Sequence, residues 1–323
     1  MLGASLGELA KNNKRNKVTF LIPDAISSLG MWLEQLLAES TGKEGTGLLP
    51  VAGEPVGEPA VYGEDRVFVY IRMRDKPDKI LHNSVSALRE AGQPVITIFL
   101  DDLLDLGQEF FRWEIATATA GAILGINAFN QPNVQESKDN TNRLLAMVRD
   151  QGKLPEEKPF LTKDPLKLYF DEKAATVPAA LKQFLAQARP GDYLALMAYI
   201  TENPANDEAL QDIRIMLQDC LHIPTTLGYG PRFLHSTGQF HKGGPNTGLF
   251  LQLTADDVED IPIPGAPYTF GIFKHAEALG DLEALKQHGR RVGRIHLGSD
   301  VNRGLAILKE DLMVALLAEQ VKP

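Results

Sequence analysis

Gln35 and Glu39 lie one helical turn apart in the run Gln35-Leu-Leu-Ala-Glu39-Ser-Thr-Gly-Lys43, so on a helix the amide and the carboxylate share a face. Gly42 is a natural stop for that helix. A carboxylate held near a helix end, with an amide beside it, is suited to taking a proton from a substrate and returning it. The plainer reading of EQLLAES is a solvated amphipathic helix, and these residues alone do not exclude it.

A second candidate is Phe129-Asn130-Gln131-Pro132-Asn133-Val134-Gln135-Glu136-Ser137-Lys138. Pro132 suits the first turn of a new helix, where its missing N–H would have no partner anyway. Gln131 and Lys138 are seven residues apart, about two turns, which would turn an amide and an amine toward one ligand. The alternative is a capped helix with an exposed lysine.

The third is Gly228-Tyr-Gly-Pro-Arg232-Phe-Leu-His235-Ser236-Thr237-Gly-Gln239-Phe-His241-Lys242-Gly-Gly-Pro-Asn246. It concentrates glycine with Arg232, His235, Ser236, Thr237, Gln239, His241 and Lys242. Backbone amides and cations in such a segment can surround a phosphate or the hydroxyls of a sugar. Its spacing matches neither of the common glycine-rich nucleotide loops. His235 and His241 have no acidic or cysteine partner at a recognised ligand spacing, so a metal is not expected.

The elements that must position these groups are legible as alternating patterns. KVTFLI, RVFVYIRM and PVITIFL read as strands, SSLGMWLEQLLAES and DKILHNSVSALREAG as helices between them, and FFRWEIATATAGAILGI and PNVQESKDNTNRLLAMVRD as two further helices. The polar stretch DQGKLPEEKPFLTKDP marks a boundary, so residues 1–150 and 151–323 are expected to form two units. Beyond it, DYLALMAYI, GLFLQLT and RVGRIHLG read as strands and DEALQDIRIMLQDCL and KHAEALGDLEALKQHG as helices, with TTLGYG between. The expected fold is α/β, a doubly wound, mostly parallel sheet followed by a second C-terminal α/β unit.

With 323 residues, 44% of them hydrophobic and 23% charged, the chain has the composition of a globular protein. Its net charge of -9 disfavours nucleic acid as a partner. No apolar run reaches the length of a membrane span, and the first residues lack the apolar core of a signal peptide, so a cytoplasmic location is expected. The single cysteine, Cys220, lies in a helical pattern and is expected to be a buried structural thiol.

Three segments, LIPDAISSLGMWLEQLLAESTGKEGTGLLP, INAFNQPNVQESK and GYGPRFLHSTGQFHKGGPN, together resemble glucose-6-phosphate isomerase, in particular the isomerase portion of bifunctional transaldolase/glucose-6-phosphate isomerase proteins. The resemblance implies a sugar-isomerase (SIS-like) subdomain in residues 1–150 and the C-terminal domain of the fused form in 151–323. By the same resemblance Glu39 is the base that moves a proton between C1 and C2, and Gln35 and Gln131 contact substrate. Lys138 and His235 then serve ring opening, with His241 as the competing histidine. Asn130 and Gln135 stand where the family has an aspartate and a glutamate, and the LHSxGQ pattern at Leu234–Gln239 comes much later than in the members that carry it.

The family needs no cofactor. It also carries an earlier subdomain with a phosphate loop and an arginine, so this chain is expected to act as part of a larger enzyme. The implied partners are the phosphosugar substrate, that N-terminal isomerase subdomain, a second copy in a homodimer and, in the fused form, a transaldolase domain. A non-catalytic phosphosugar-binding module and an oligomerisation unit are the competing readings.

Overall fold

Residues 1–76, 78–171 and 174–317 are described by a computed structural model. The chain begins with α1 (Leu2–Asn13), β1 (Lys17–Leu21), α2 (Ser28–Thr41), β2 (Leu49–Val51), β3 (Arg66–Met73), α3 (Lys79–Glu90), β4 (Val95–Leu100) and α4 (Leu106–Leu124). It continues with α5 (Val134–Gln151), β5 (Leu161–Lys163), β6 (Leu166–Tyr169), α6 (Val177–Leu185), β7 (Tyr193–Tyr199) and α7 (Pro204–Leu221). The remainder is β8 (Thr225–Tyr229), α8 (Thr237–Gly243), β9 (Gly248–Thr254), α9 (Phe270–Gln287), β10 (Arg291–His296) and α10 (Val301–Leu317).

Two compact units result, and neither is contiguous in sequence. Unit 1 comprises Met1–Asn133, His222–Thr226 and His235–Asn246, and unit 2 comprises Val134–Leu221, Leu227–Leu234 and Thr247–Pro323. Residue 150 thus falls at the end of α5, inside unit 2, while α8 belongs to unit 1.

Unit 1 is built on a four-stranded sheet in the order β2-β1-β3-β4, with every pair parallel. All of β1 and the first six residues of β3 are buried, as near-continuous apolar runs covered on both faces should be. Phe20 and Trp113 meet edge to face at 5.4 Å in the core that also takes Leu6, Leu33, Leu37 and Val69. Gly3 lets α1 approach α4 closely, since a Cβ there would lie 2.1 Å from the carbonyl oxygen of Ala116.

The second sheet has six strands in the order β5-β6-β10-β9-β7-β8, the first five wholly in unit 2 and β8 entering it at Leu227. β10, β9 and β7 are mutually parallel, β6 runs antiparallel to β10, and β5 antiparallel to β6. β7 and β9 are buried along their whole length, which places them in the middle of the layer. The α/β class and the mostly parallel sheet match the expectation.

Two local expectations are corrected. Cys220 is exposed, because α7 buries Leu210, Ile213, Arg214, Leu217 and Gln218, and position 220 falls just past the edge of that stripe. Gln131 precedes α5 instead of lying on it, because the helix begins at Val134, two residues after Pro132. The two-turn spacing from Gln131 to Lys138 is therefore not a spacing along one helix.

Glu277 of α9 is half-buried, and its Oε2 is sealed from water with no hydrogen-bond partner. Burial raises its carboxyl from an ordinary 4.5 to about 7. The folded state therefore binds the proton more tightly than the unfolded chain does. The stability it contributes is fully present below pH 4.5 and is lost as pH rises through about 7. Glu277→Gln is expected to flatten the stability–pH curve over that interval, removing a loss of about 2 kcal/mol after allowance for partial solvent exposure. Urea unfolding at a series of pH values measures it, and a slope that persists in the variant would assign the loss elsewhere.

Candidate functional site

α2 carries the first candidate pair because of how it is anchored. It buries Leu29, Gly30, Leu33, Leu37, Ala38 and Thr41 along one face, leaving Gln35 exposed and Glu39 half-buried on another. Gln35 Nε2 donates to Glu39 Oε2 at 3.3 Å, so the amide and carboxylate meet as their spacing predicts.

The helix ends at Gly42, whose N–H donates to the carbonyl of Ala38. The glycine is required by packing and not by backbone conformation, since its φ is -77°. A Cβ at Gly42 would lie 2.4 Å from Cα of Phe240 on α8, a contact with backbone that cannot swing aside. Gly42→Ala is therefore expected to destabilise unit 1 by about 1–3 kcal/mol, read as a lower urea midpoint. An unchanged midpoint would show that α8 does not seat this closely on α2.

The residue after Gly42 was not among the expected site residues. Lys43 is fully buried, and its Nζ donates to the carbonyl of Asn127 at 2.9 Å, to Asn130 Oδ1 at 3.2 Å and to the carbonyl of Asn130. Burial pushes its ammonium below the usual lysine range, and the nearby carboxylates of Glu39 and Glu44 oppose that shift. Lys43 thus fastens the segment leading to Gln131 against the end of α2, with its charge felt by Glu39. The signal for this in the sequence is a lysine directly after the helix-stopping glycine, but nothing local shows that it is buried.

The glycine-rich segment forms a short 3₁₀ turn at Arg232–His235 followed by α8. Gln239 is fully buried and donates from Nε2 to the Gly42 carbonyl and to Asn133 Oδ1, both at 2.8 Å, while its Oε1 accepts from the Asn133 N–H at 3.0 Å. Its amide is engaged within unit 1. Gly45 N–H donates to the carbonyl of Gly243 at 2.9 Å, closing the other end of the same junction. Ser236 Oγ donates to Glu34 Oε1 at 3.3 Å, which ties the residue after His235 to α2 one position before Gln35.

His235 itself is exposed, whereas Ser236, Thr237, His241 and Lys242 are buried. Glu39, Gln35, Gln131 and His235 are thus the expected residues of unit 1 that keep accessible surface. Lys138 and Arg232 belong to unit 2. There Lys138 is exposed on α5, and Arg232 lies 3.7 Å from Glu202. Among the described residues no group of three or more His, Cys, Asp or Glu is arranged to hold a metal ion, and no helix is long and apolar enough to cross a membrane.

No family model matches the chain. Its sequence is 28% identical to a glucose-6-phosphate isomerase of Rubrobacter xylanophilus over 176 residues, covering 43% of this chain and 41% of that protein. It is 26% identical over 168 residues to a probable glucose-6-phosphate isomerase of Methanococcus maripaludis, covering 41% and 38%. Partial relatives from Lactobacillus helveticus and Parabacteroides distasonis are also named glucose-6-phosphate isomerase. The matched stretch spans about 40% of the length of the first two relatives.

Among solved structures, a hypothetical protein of Thermus thermophilus is 14% identical with a TM-score of 0.39, covering 98% of this chain and 82% of that one. The C-terminal domain of a Francisella tularensis glucosamine-fructose-6-phosphate aminotransferase is 9% identical with a TM-score of 0.29, covering 96% and 84%. At these scores the likeness is loose, and the fold description stands on the strand order above.

Proposed function

We propose that the chain is the part of a glucose-6-phosphate isomerase that supplies its proton-transferring base, interconverting glucose 6-phosphate and fructose 6-phosphate. The observation that carries this reading is the Gln35–Glu39 pair at the end of α2, with the amide 3.3 Å from the carboxylate. It is supported by partial relatives of that activity at 24–29% identity.

The chemistry asked of Glu39 is modest and specific. In the open-chain aldose the proton on C2 is acidic because the neighbouring carbonyl accepts the electron pair. Glu39 takes that proton, the C1–C2 enediolate forms, the C2 hydroxyl proton passes to the C1 oxygen, and Glu39 delivers to C1 either the original proton or one exchanged with solvent as the C2 oxygen becomes the ketone. Gln35 has an amide with which to hold the carboxylate toward the substrate. Lys138 and His235 are assigned to ring opening, His241 being the second candidate for the histidine role. Gln131, Arg232, Ser236, Thr237 and Lys242 complete the proposed binding set, while Gln239, its amide engaged by Gly42 and Asn133, holds its segment in place. The partners this reading brings are an N-terminal isomerase subdomain, a second copy in a dimer and, in the fused form, a transaldolase domain.

The test is transfer of solvent deuterium into fructose 6-phosphate and its conversion to glucose 6-phosphate. Both are followed by proton NMR for the chain alone and after addition of the N-terminal isomerase part that the resemblance calls for. Little turnover is expected alone and clear turnover together. Absence of exchange in both would overturn the reading.

A further inference from the structure

Unit 2 carries a cavity of about 570 Å³, within the usual range for small-molecule sites. It opens at the carboxyl ends of two parallel strands, since Thr254 ends β9, His296 ends β10, and both line it. That end of a parallel sheet is where α/β folds generally place ligands. Lys167 and Tyr169 of β6 form one wall, and Lys274 and His275 in the first turns of α9 form another.

The charged groups of this cavity are mostly spent on one another. Each lining carboxylate is already engaged by a cation, by backbone or, for Asp256, by the His296 ring, whose protonation burial disfavours. Glu156 pairs with Lys153 at 2.7 Å, Glu157 with Arg294 at 2.7 Å, Asp256 with His296 at 3.4 Å, and Asp257 with Lys274. Asp260 accepts from the Gly271 N–H at 2.7 Å and from the Thr269 hydroxyl at 2.5 Å. Arg294 lines the cavity at 3% exposure, with its guanidinium 3.9 Å over the Tyr169 ring. An oxyanion is the natural complement of a guanidinium held away from water. Lys167 makes no ion pair among the described residues, and its charge reaches His296 across the cavity wall. Burial keeps the His275 ring neutral, lowering it to about 4, so it adds a hydrogen-bonding group without adding charge.

Acceptors are present as well. Asp256 and Asp257 each use one carboxylate oxygen in the pairs above, and their second oxygens accept no hydrogen bond among the described residues. We propose that this cavity binds a small hydroxylated oxyanion, a sugar phosphate or a sugar acid. Its anionic head is taken by Arg294 and Lys167, and its hydroxyls donate to Asp256 and Asp257. No residue of α2 lines the cavity.

The test is calorimetric titration of the full chain with glucose 6-phosphate, with gluconate and with glucose. Saturable binding of at least one of the two anions is expected, at least tenfold tighter than glucose, and which of the two binds identifies the head group. Lys167→Met, at an exposed side chain with no partner to lose, is expected to weaken that binding at least tenfold. Arg294→Lys should do the same, with a thermal melt confirming that it folds. Binding of neither anion, glucose binding as tightly, or an affinity indifferent to Lys167→Met would each overturn the proposal. If the isomerase reading fails, the loss of anion binding in Lys167→Met still stands, because it is measured without turnover.

Discussion

Glu39→Gln is expected to lower interconversion of fructose 6-phosphate and glucose 6-phosphate at least a hundredfold, with KM little changed. The substitution keeps size and polarity, and the new amide oxygen can still accept the hydrogen bond that Gln35 Nε2 gives at 3.3 Å. Only the ability to hold a proton between C2 and C1 is lost. General base catalysis is worth about 10²- to 10⁴-fold, and a hundredfold loss corresponds to about 2.7 kcal/mol of transition-state stabilisation. Gln35→Ala separates positioning from chemistry. It should raise KM and reduce kcat by less than Glu39→Gln does, because the carboxylate remains but loses its donor. The measurement is steady-state kinetics of the assembly that turns the substrate over, with deuterium exchange as a check on the proton step. Exchange at the wild-type rate in Glu39→Gln would remove this residue from the base role and leave a phosphosugar-binding module as the better account.

Much of the scaffold that holds Glu39 is legible in the sequence. β1, β3, β4, β7, β9 and β10 announce themselves as short β-branched and aromatic runs, and α2 by its apolar spacing and the glycine at its end. What was not legible depends on partners distant in sequence. β2 is three residues long with Pro50 at its centre, too short for a periodic signal and a strand only because it pairs with β1. α8 reads as a glycine-rich loop, yet packing against the end of α2 buries Thr237 through Lys242 and turns it into a helix.

The same cause hides the anchors of the site. Lys43 meets backbone carbonyls 84 and 87 positions further on, and Gln239 meets the Gly42 carbonyl 197 positions back. No local pattern distinguishes such a lysine or glutamine from a solvated one. The residue types that drew attention to the third segment were therefore partly those that seat it: the Gln239 amide is spent on Asn133 and Gly42, while His235 remains exposed.

Glu54 is the clearest case of a charge whose importance only tertiary structure reveals, and its removal is expected to have the largest effect on stability. In sequence it sits between glycine and proline and reads as a surface residue. In unit 1 its side chain is 1% exposed and that of Arg66 is 0% exposed, with Arg66 Nη1 2.6 Å from Glu54 Oε2 and Nη2 3.2 Å from Oε1. Oε1 also accepts from the Thr225 N–H at 2.7 Å and from its hydroxyl at 3.0 Å, so the same carboxylate holds the returning chain at His222–Thr226 within the unit.

Burying two charges costs several kcal/mol per ion, and a pair of this kind offsets that only while every partner is present. Glu54→Gln leaves the Arg66 guanidinium desolvated with Thr19 Oγ1 at 2.8 Å as a neutral acceptor in place of a carboxylate charge. A loss of about 3–5 kcal/mol is expected, read from urea unfolding. Arg66→Met alone should cost a similar amount, because it strands the carboxylate. The double variant Glu54→Gln/Arg66→Met should be less damaging than the sum of the two, since it leaves no buried charge and forfeits mainly the Thr225 contacts. Strict additivity in that cycle would mean that the two side chains act independently, and the account of unit 1 as closed around an internal ion pair would fail with it.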